Sequence, residues 1–247
     1  TASTLFPSPP LSYPPPNDHI ISLAEGFIRK HNSGKGGSWG AEANRGFNFQ
    51  YQKDWATAYW NAQGLVATDP TKQTRKLSKS EEIFTGIDML GIGESHGHDG
   101  GVDLVKIPDN CIAFWGNDRE PQAANSGVAV WIKKAFLNNF SGGDWQQIVP
   151  GRVTQVRLWG RYGRLELFVL YLPTGSSGDV GEREHCRRKI EERLSPSNQA
   201  LTLIMGDMNF VDEPKGRFSQ AGYTGNKNTA EANKWKDFMD RHHVAEM

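Results

Sequence analysis

From Trp55 onward the chain alternates short apolar runs with polar turns. Thr57-Ala58-Tyr59-Trp60 predicts a strand ending in the polar turn Asn61-Ala62-Gln63-Gly64. Residues 87–93 predict a buried strand that runs straight into Glu94-Ser95-His96. Further strands are expected at 111–115, 127–133, 151–159, 165–171 and 201–205, the last ending at Gly206-Asp207-Met208-Asn209. Val128-Ala129-Val130-Trp131-Ile132 has no polar interruption, the pattern of a strand covered on both faces. Helices are expected at 78–84, where Ser78 and Glu81 have capping-box spacing, and at 182–194, whose apolar side is thin (Cys186, Ile190, Leu194). A third is expected at 231–243, with Trp235, Phe238, Met239 and His242 spaced i, i+3, i+4, i+7. Strands outnumber helices and often follow one another without a helix between them. That argues against a strictly alternating doubly wound sheet and for two packed sheets with helices outside them.

The 247 residues leave room for one sizeable domain and a tail. Residues 1–17 are proline-rich and 32–48 are rich in Gly, Ser and Asn, so 1–54 reads as a flexible leader. A short helix at 20–29 interrupts it, and the folded domain is expected over 55–247. The 28 basic and 28 acidic residues cancel, so any nucleic-acid surface has to be a local patch. Arg183, Arg187, Arg188 and Arg193 read as the solvated face of a charged helix. Two cysteines, Cys111 and Cys186, are too few for a disulfide framework, and a reducing, intracellular compartment (nuclear or cytoplasmic) is expected. No apolar run approaches the ~20 residues of a spanning helix, so no membrane partner is expected.

Three predicted strands end in groups suited to metal or phosphate: Asn61, Glu94, and Asp207 with Asn209. An open sheet gathers a site from strand ends that are distant in sequence. An oxygen-only set points to a hard cation, Mg2+ or Mn2+. Each group also has a plainer reading: Asn61 as a turn former, Glu94 as an exposed strand end, Asp207-Met208-Asn209 as an Asx-turn. His96-Gly97-His98-Asp99 departs from the metallo-β-lactamase-like His-x-His-x-Asp-His pattern, because the Asp stands one place early and the last His is missing.

The ordered set of motifs resembles the endonuclease/exonuclease/phosphatase superfamily. Trp60-Asn61-Ala62-Gln63-Gly64-Leu65 is similar to its opening Asn-x-x-Gly-Leu, and Gly93-Glu94-Ser95-His96 to its Gln-Glu-Thr-His. Asn125-Ser126-Gly127-Val128-Ala129-Val130 resembles its Gly-Gly-Val-Ala strand. Leu170-Tyr171-Leu172-Pro173 resembles Val-Tyr-Ala-Pro, and Gly206-Asp207-Met208-Asn209-Phe210 resembles Gly-Asp-Phe-Asn. The resemblance implies an α/β (α+β) fold in which two packed mixed β-sheets are flanked by helices as a four-layer sandwich. It also implies a Mg2+ (or Mn2+) ion held by Glu94 with Asn61. Asp207 would aim the attacking water, Asn209 would hold the phosphate, and Tyr171 would hydrogen-bond the developing charge. His96 and Thr174 would contact substrate.

Departures accompany the match. Gln63 stands where many members have Asn or Asp, and Thr174 where many have Asn. The family's closing Ser-Asp-His strand has no counterpart after Asn209. Asp240-Arg241-His242-His243 lies on an expected helix, so the domain is expected to be C-terminally truncated, with its last strands missing, and inactive as it stands. The closest look is to non-LTR retrotransposon endonuclease domains, which implies a monomeric, DNA-directed phosphodiesterase. The alternatives are an RNA exonuclease, a small-molecule phosphatase, or a decayed remnant without catalysis.

Overall fold

The computed structural model describes residues 37–40, 54–66, 69–97, 101–102, 105–117, 126–173, 177–196, 199–209, 218–219, 222–223 and 229–242. Two mixed sheets form its centre. The first has the order β1 (Gly37–Gly40), β6 (Gly142–Val149), β7 (Val153–Gly160), β8 (Gly163–Tyr171) and β9 (Leu201–Asp207). Only the β8–β9 pair is parallel in it. The second has the order β2 (Thr57–Asn61), β3 (Met89–Gly93), β5 (Val128–Lys133) and β4 (Cys111–Gly116), with β2–β3 parallel. Two short strands, β10 (Phe218–Ser219) and β11 (Gly222–Tyr223), pair separately.

The sandwich has three apolar layers. Between the sheets, Met89, Phe114, Val128, Val130 and Ile132 meet Trp145, Val156, Leu167 and Val169. The outer face of the second sheet, with Leu90, Ile92, Ala113, Ala129 and Trp131, is covered by Leu77, Ile83 and Phe84 of α1 (Pro70–Phe84). The outer face of the first sheet, through Val153, Phe168 and Leu170, packs on Cys186 and Ile190 of α3 (Ser177–Glu191). Trp235 and Phe238 of α4 (Thr229–His242) complete that layer. The expected four-layer arrangement is therefore present. β5 shows why its sequence lacks alternation: Val128, Val130 and Ile132 face one layer while Ala129 and Trp131 face the other. Each such side chain contributes roughly 1.5–3 kcal/mol by burial.

Several elements differ from expectation. α1 begins at Pro70, not at Ser78; Asp69 is its N-cap, accepting from Thr71 N at 2.9 Å and Lys72 N at 3.3 Å. Pro follows at the first helical position, where its missing N–H costs nothing. Ser78 is exposed in the helix interior. β6 and the one-turn helix α2 (Lys134–Leu137) were not expected at all. The arginines of α3 are not a uniform solvated face: Arg188 is exposed, but Arg183 is 3% exposed. Arg183 Nη1 donates to Pro173 O at 3.0 Å, and its Nε lies 3.5 Å from Glu231 Oε2 on α4. Of the segment read as a leader, Gly37–Gly40 forms an edge strand on β6. Residues 20–29, His98 and Asp99 lie outside the described residues. No described helix is long and apolar enough to cross a membrane.

Candidate active site

The two parallel pairs bring the site together. Parallel neighbours end on the same side, and their registers place Asn61 beside Gly93 and Tyr171 beside Asp207. The pairs face each other across the sandwich, where Thr57 Oγ1 reaches Met205 Sδ at 3.7 Å. A side chain on Gly91 would strike that same sulfur. Four residues separated by long stretches of sequence thus share one edge of the sandwich.

Direct hydrogen bonds tie them together. Asn61 Nδ2 donates to Asp207 Oδ2 at 3.3 Å, and Asn61 Oδ1 accepts from Gln63 N at 3.2 Å. Tyr171 Oη donates to Glu94 Oε1. Asp207 Oδ1 accepts from Asn209 N at 2.9 Å, and Asn209 Nδ2 donates to Leu172 O. Met208, between them, packs into the layer under α3 and α4, so Asp207 and Asn209 return to the same side. All five residues expected to carry the chemistry therefore converge.

The backbone is unusual at the same place. Among the described residues the non-glycines with positive φ are Gln63 (48°), Glu94 (48°), His96 (54°) and Asn209 (52°). Every one belongs to this site. Left-handed non-glycine residues cost energy and persist where the surroundings over-determine them, as at active sites. Gly64 at φ 90° closes the Asn61 turn, and a Cβ there would lie 2.9 Å from His96 Nδ1. Gly64 N donates to Glu94 O at 2.6 Å and Val66 N to Ser95 O at 2.8 Å, which fasten this turn to the strand end bearing Glu94.

Burial, then the bond to Glu94, holds the Tyr171 hydroxyl well above the ordinary tyrosine range. It is a hydrogen-bond donor at neutral pH. Burial lowers the pKa of the half-buried His96, against the opposing pull of Glu94. That ring packs on Gly64. Thr174 lies outside the described residues. Asp240 is exposed, and His242 faces Glu191 Oε1 at 3.1 Å on α3.

Two site residues escaped sequence reasoning. Tyr59 sits two positions before Asn61, on the same face of β2, and its hydroxyl lies against Gly93. Burial and the charge of Asp207 raise its pKa. The strand period could have revealed it. Lys76 on α1 donates from Nζ to Ala62 O at 2.7 Å and to Gln63 O, and nothing in its sequence context announced this.

Among the described residues no cluster of three or more His, Cys, Asp or Glu could cage a metal. The arrangement nonetheless fits Mg2+, which is commonly bound through one or two carboxylates, waters and substrate phosphates. Tyr171 engages Glu94 Oε1, which leaves Oε2 for a cation, and Asn61 Oδ1 has a second lone pair.

No protein-family model matches the chain, and no curated protein matches it. Solved structures do. A crystal structure of an AP endonuclease from Leishmania major aligns with TM-score 0.58 and 14% identity, over 76% of this chain and 66% of that one. The APE2 catalytic domain from Xenopus laevis gives 0.47 and 14%, over 75% and 66%. D. rerio TDP2 complexed with a single-strand DNA product gives 0.43 and 15%, over 63% and 61%. The chain spans just under two thirds of the Leishmania and Xenopus chains. The layer order, the mixed sheets and the match to the Leishmania enzyme agree with the motif order: the chain has the endonuclease/exonuclease/phosphatase fold.

Proposed function

We propose that this chain carries a divalent-metal-dependent phosphodiesterase site directed at DNA, of the non-LTR retrotransposon endonuclease type. The observation that carries this reading is the convergence of Asn61, Glu94, Tyr171, Asp207 and Asn209 at one strand-end edge of the sandwich, in two hydrogen-bonded groups. The motif resemblance supports the retrotransposon type, and the fold shared with a solved AP endonuclease is in keeping with it.

Glu94 and Asn61 would hold Mg2+ or Mn2+, which when bound polarises a phosphoryl oxygen as a Lewis acid. Asp207, fixed by Asn61 and by the Asn209 amide, is an acceptor-only carboxylate aimed by both of its oxygens, suited to orienting a water. Tyr171 keeps its proton and presents a hydroxyl donor beside Glu94. Asn209, His96 and Thr174 are assigned to the substrate. Metal titration with Mn2+ tests the reading: binding should be lost in Glu94→Gln and kept in His96→Ala with His98→Ala. Tight stoichiometric Zn2+ lost in the histidine variants would overturn it.

A second reading is a non-catalytic binding remnant, which would keep the fold without turnover. DNA binding with no hydrolysis, even when a Ser-Asp-His segment is supplied, would favour it. Hydrolysis of a small phosphomonoester in preference to DNA would point to a phosphatase.

A further inference from the structure

We propose that Lys76 is a positioning residue for the metal-binding side of the site, clamping the turn that carries Asn61; this rests on the phosphodiesterase reading above. Lys76 lies on α1, outside every motif, yet its ammonium donates to two consecutive carbonyls, Ala62 O at 2.7 Å and Gln63 O. Those carbonyls belong to a turn whose residues Gln63 and Gly64 both have positive φ. Two neighbouring carbonyl dipoles directed at one point repel each other, and a cation between them removes the repulsion.

The clamped turn fixes the Asn61 side chain. Gln63 N donates to Asn61 Oδ1 at 3.2 Å, while Asn61 Nδ2 reaches across the sandwich to Asp207 at 3.3 Å. If the Ala62–Gln63 peptide rotates, the Asn61 oxygen loses the Gln63 amide that fixes it. The far side of the turn is already tied down by Gly64 N to Glu94 O. Its near side is held by Ala62 N to Gly93 O at 2.9 Å, and the clamp restrains the two carbonyls between them. Groups that orient metal ligands typically matter 10–100-fold in metal affinity.

The test uses residues 1–247 and Mn2+ alone as probe, with dissociation constants read from Mn2+ electron paramagnetic resonance and melting temperatures recorded in parallel. Lys76→Met keeps the stem of the side chain without its charge or donors. Lys76→Arg keeps the charge and at least two donors. Glu94→Gln reports on the site itself. Expected are loss of binding in Glu94→Gln, a dissociation constant about tenfold weaker in Lys76→Met, and recovery to within about threefold of the wild type in Lys76→Arg. Recovery by Arg at unchanged melting temperature separates positioning from general stability. Glu94-dependent binding that is unaltered in Lys76→Met would overturn the Lys76 proposal and leave the phosphodiesterase reading standing. Mn2+ binding indifferent to Glu94→Gln would overturn that reading, and the role of Lys76 with it.

Discussion

Single residues at this site are held in conformations they would not choose. Gly64 shows the reason most directly: it needs φ 90°, and the space its side chain would fill belongs to His96. Gly64→Ala should therefore cost about 1–3 kcal/mol, from a left-handed non-glycine residue and a displaced imidazole. Urea unfolding measures this, and a loss below about 0.5 kcal/mol would show that the turn yields without strain. The cysteines illustrate the opposite case, side chains placed only by packing. Burial pushes the thiols of Cys111 and Cys186 up to about 12, against about 8.5 for a free cysteine. At about pH 8 both should resist a disulfide reagent in the folded chain and react rapidly in denaturant. Fast labelling of the native chain would mean that the layers above them open readily. The sequence placed Cys186 on the apolar side of its helix, in agreement with this burial.

At the scale of elements, α3 and α4 are joined through the first sheet's outer layer and through one buried ion pair. Arg183 and Glu231 are 3% and 5% exposed, and Arg183 also holds Pro173 O, two residues beyond Tyr171. Glu231→Ala leaves a buried guanidinium with one carbonyl and should destabilise the fold by about 3–5 kcal/mol. Replacing both residues by Leu should recover most of that loss, because two desolvated charges are removed together. Chemical denaturation of the single and double variants decides it, and equal losses in both would contradict the pairing. This is also where sequence reading reached its limit. An arginine on a charged helix looks solvated until a second helix is laid over it. The buried strands were legible because a strand covered on both faces has no polar position, as in β5. β6 was not, since Gly142-Gly143-Asp144 and Gln146-Gln147 leave no apolar run around Trp145, although Trp145 is in the core. α1 was shortened because its first two turns are almost wholly polar, and the Asp69-Pro70 start stood apart from any apolar periodicity. Asn61, Glu94, Asp207 and Asn209 stood out in the sequence because they lie at or just past predicted strand ends, and Tyr171 only through its resemblance to Val-Tyr-Ala-Pro. Lys76 did not, because its role exists only once α1 lies over the turn.

For the whole molecule, the question is what the assembled cleft achieves. Formal charge is balanced at zero, so on the proposed reading long-range attraction to DNA would be weak and binding would rest on local contacts at the site. The described residues bring together Glu94, Asp207 held by Asn61, and a protonated Tyr171. The sequence contains no Ser-Asp-His, the segment that completes the site in the family its motifs resemble. General acid–base assistance is worth roughly 10²–10⁴-fold. Residues 1–247 are therefore expected to nick supercoiled plasmid only weakly in Mg2+, while still binding the cation through Glu94. Adding a downstream segment that carries Ser-Asp-His should raise nicking by about 10²-fold or more, and Glu94→Ala should remove it in both chains. The assay separates the outcomes cleanly. Robust Mg2+-dependent nicking by residues 1–247, abolished by Glu94→Ala, would keep the metal site and refute the need for the Asp-His pair. Proton transfer would then have to come from a residue in this sequence, with His96, the half-buried imidazole nearest Glu94 in the chain, as the first to replace.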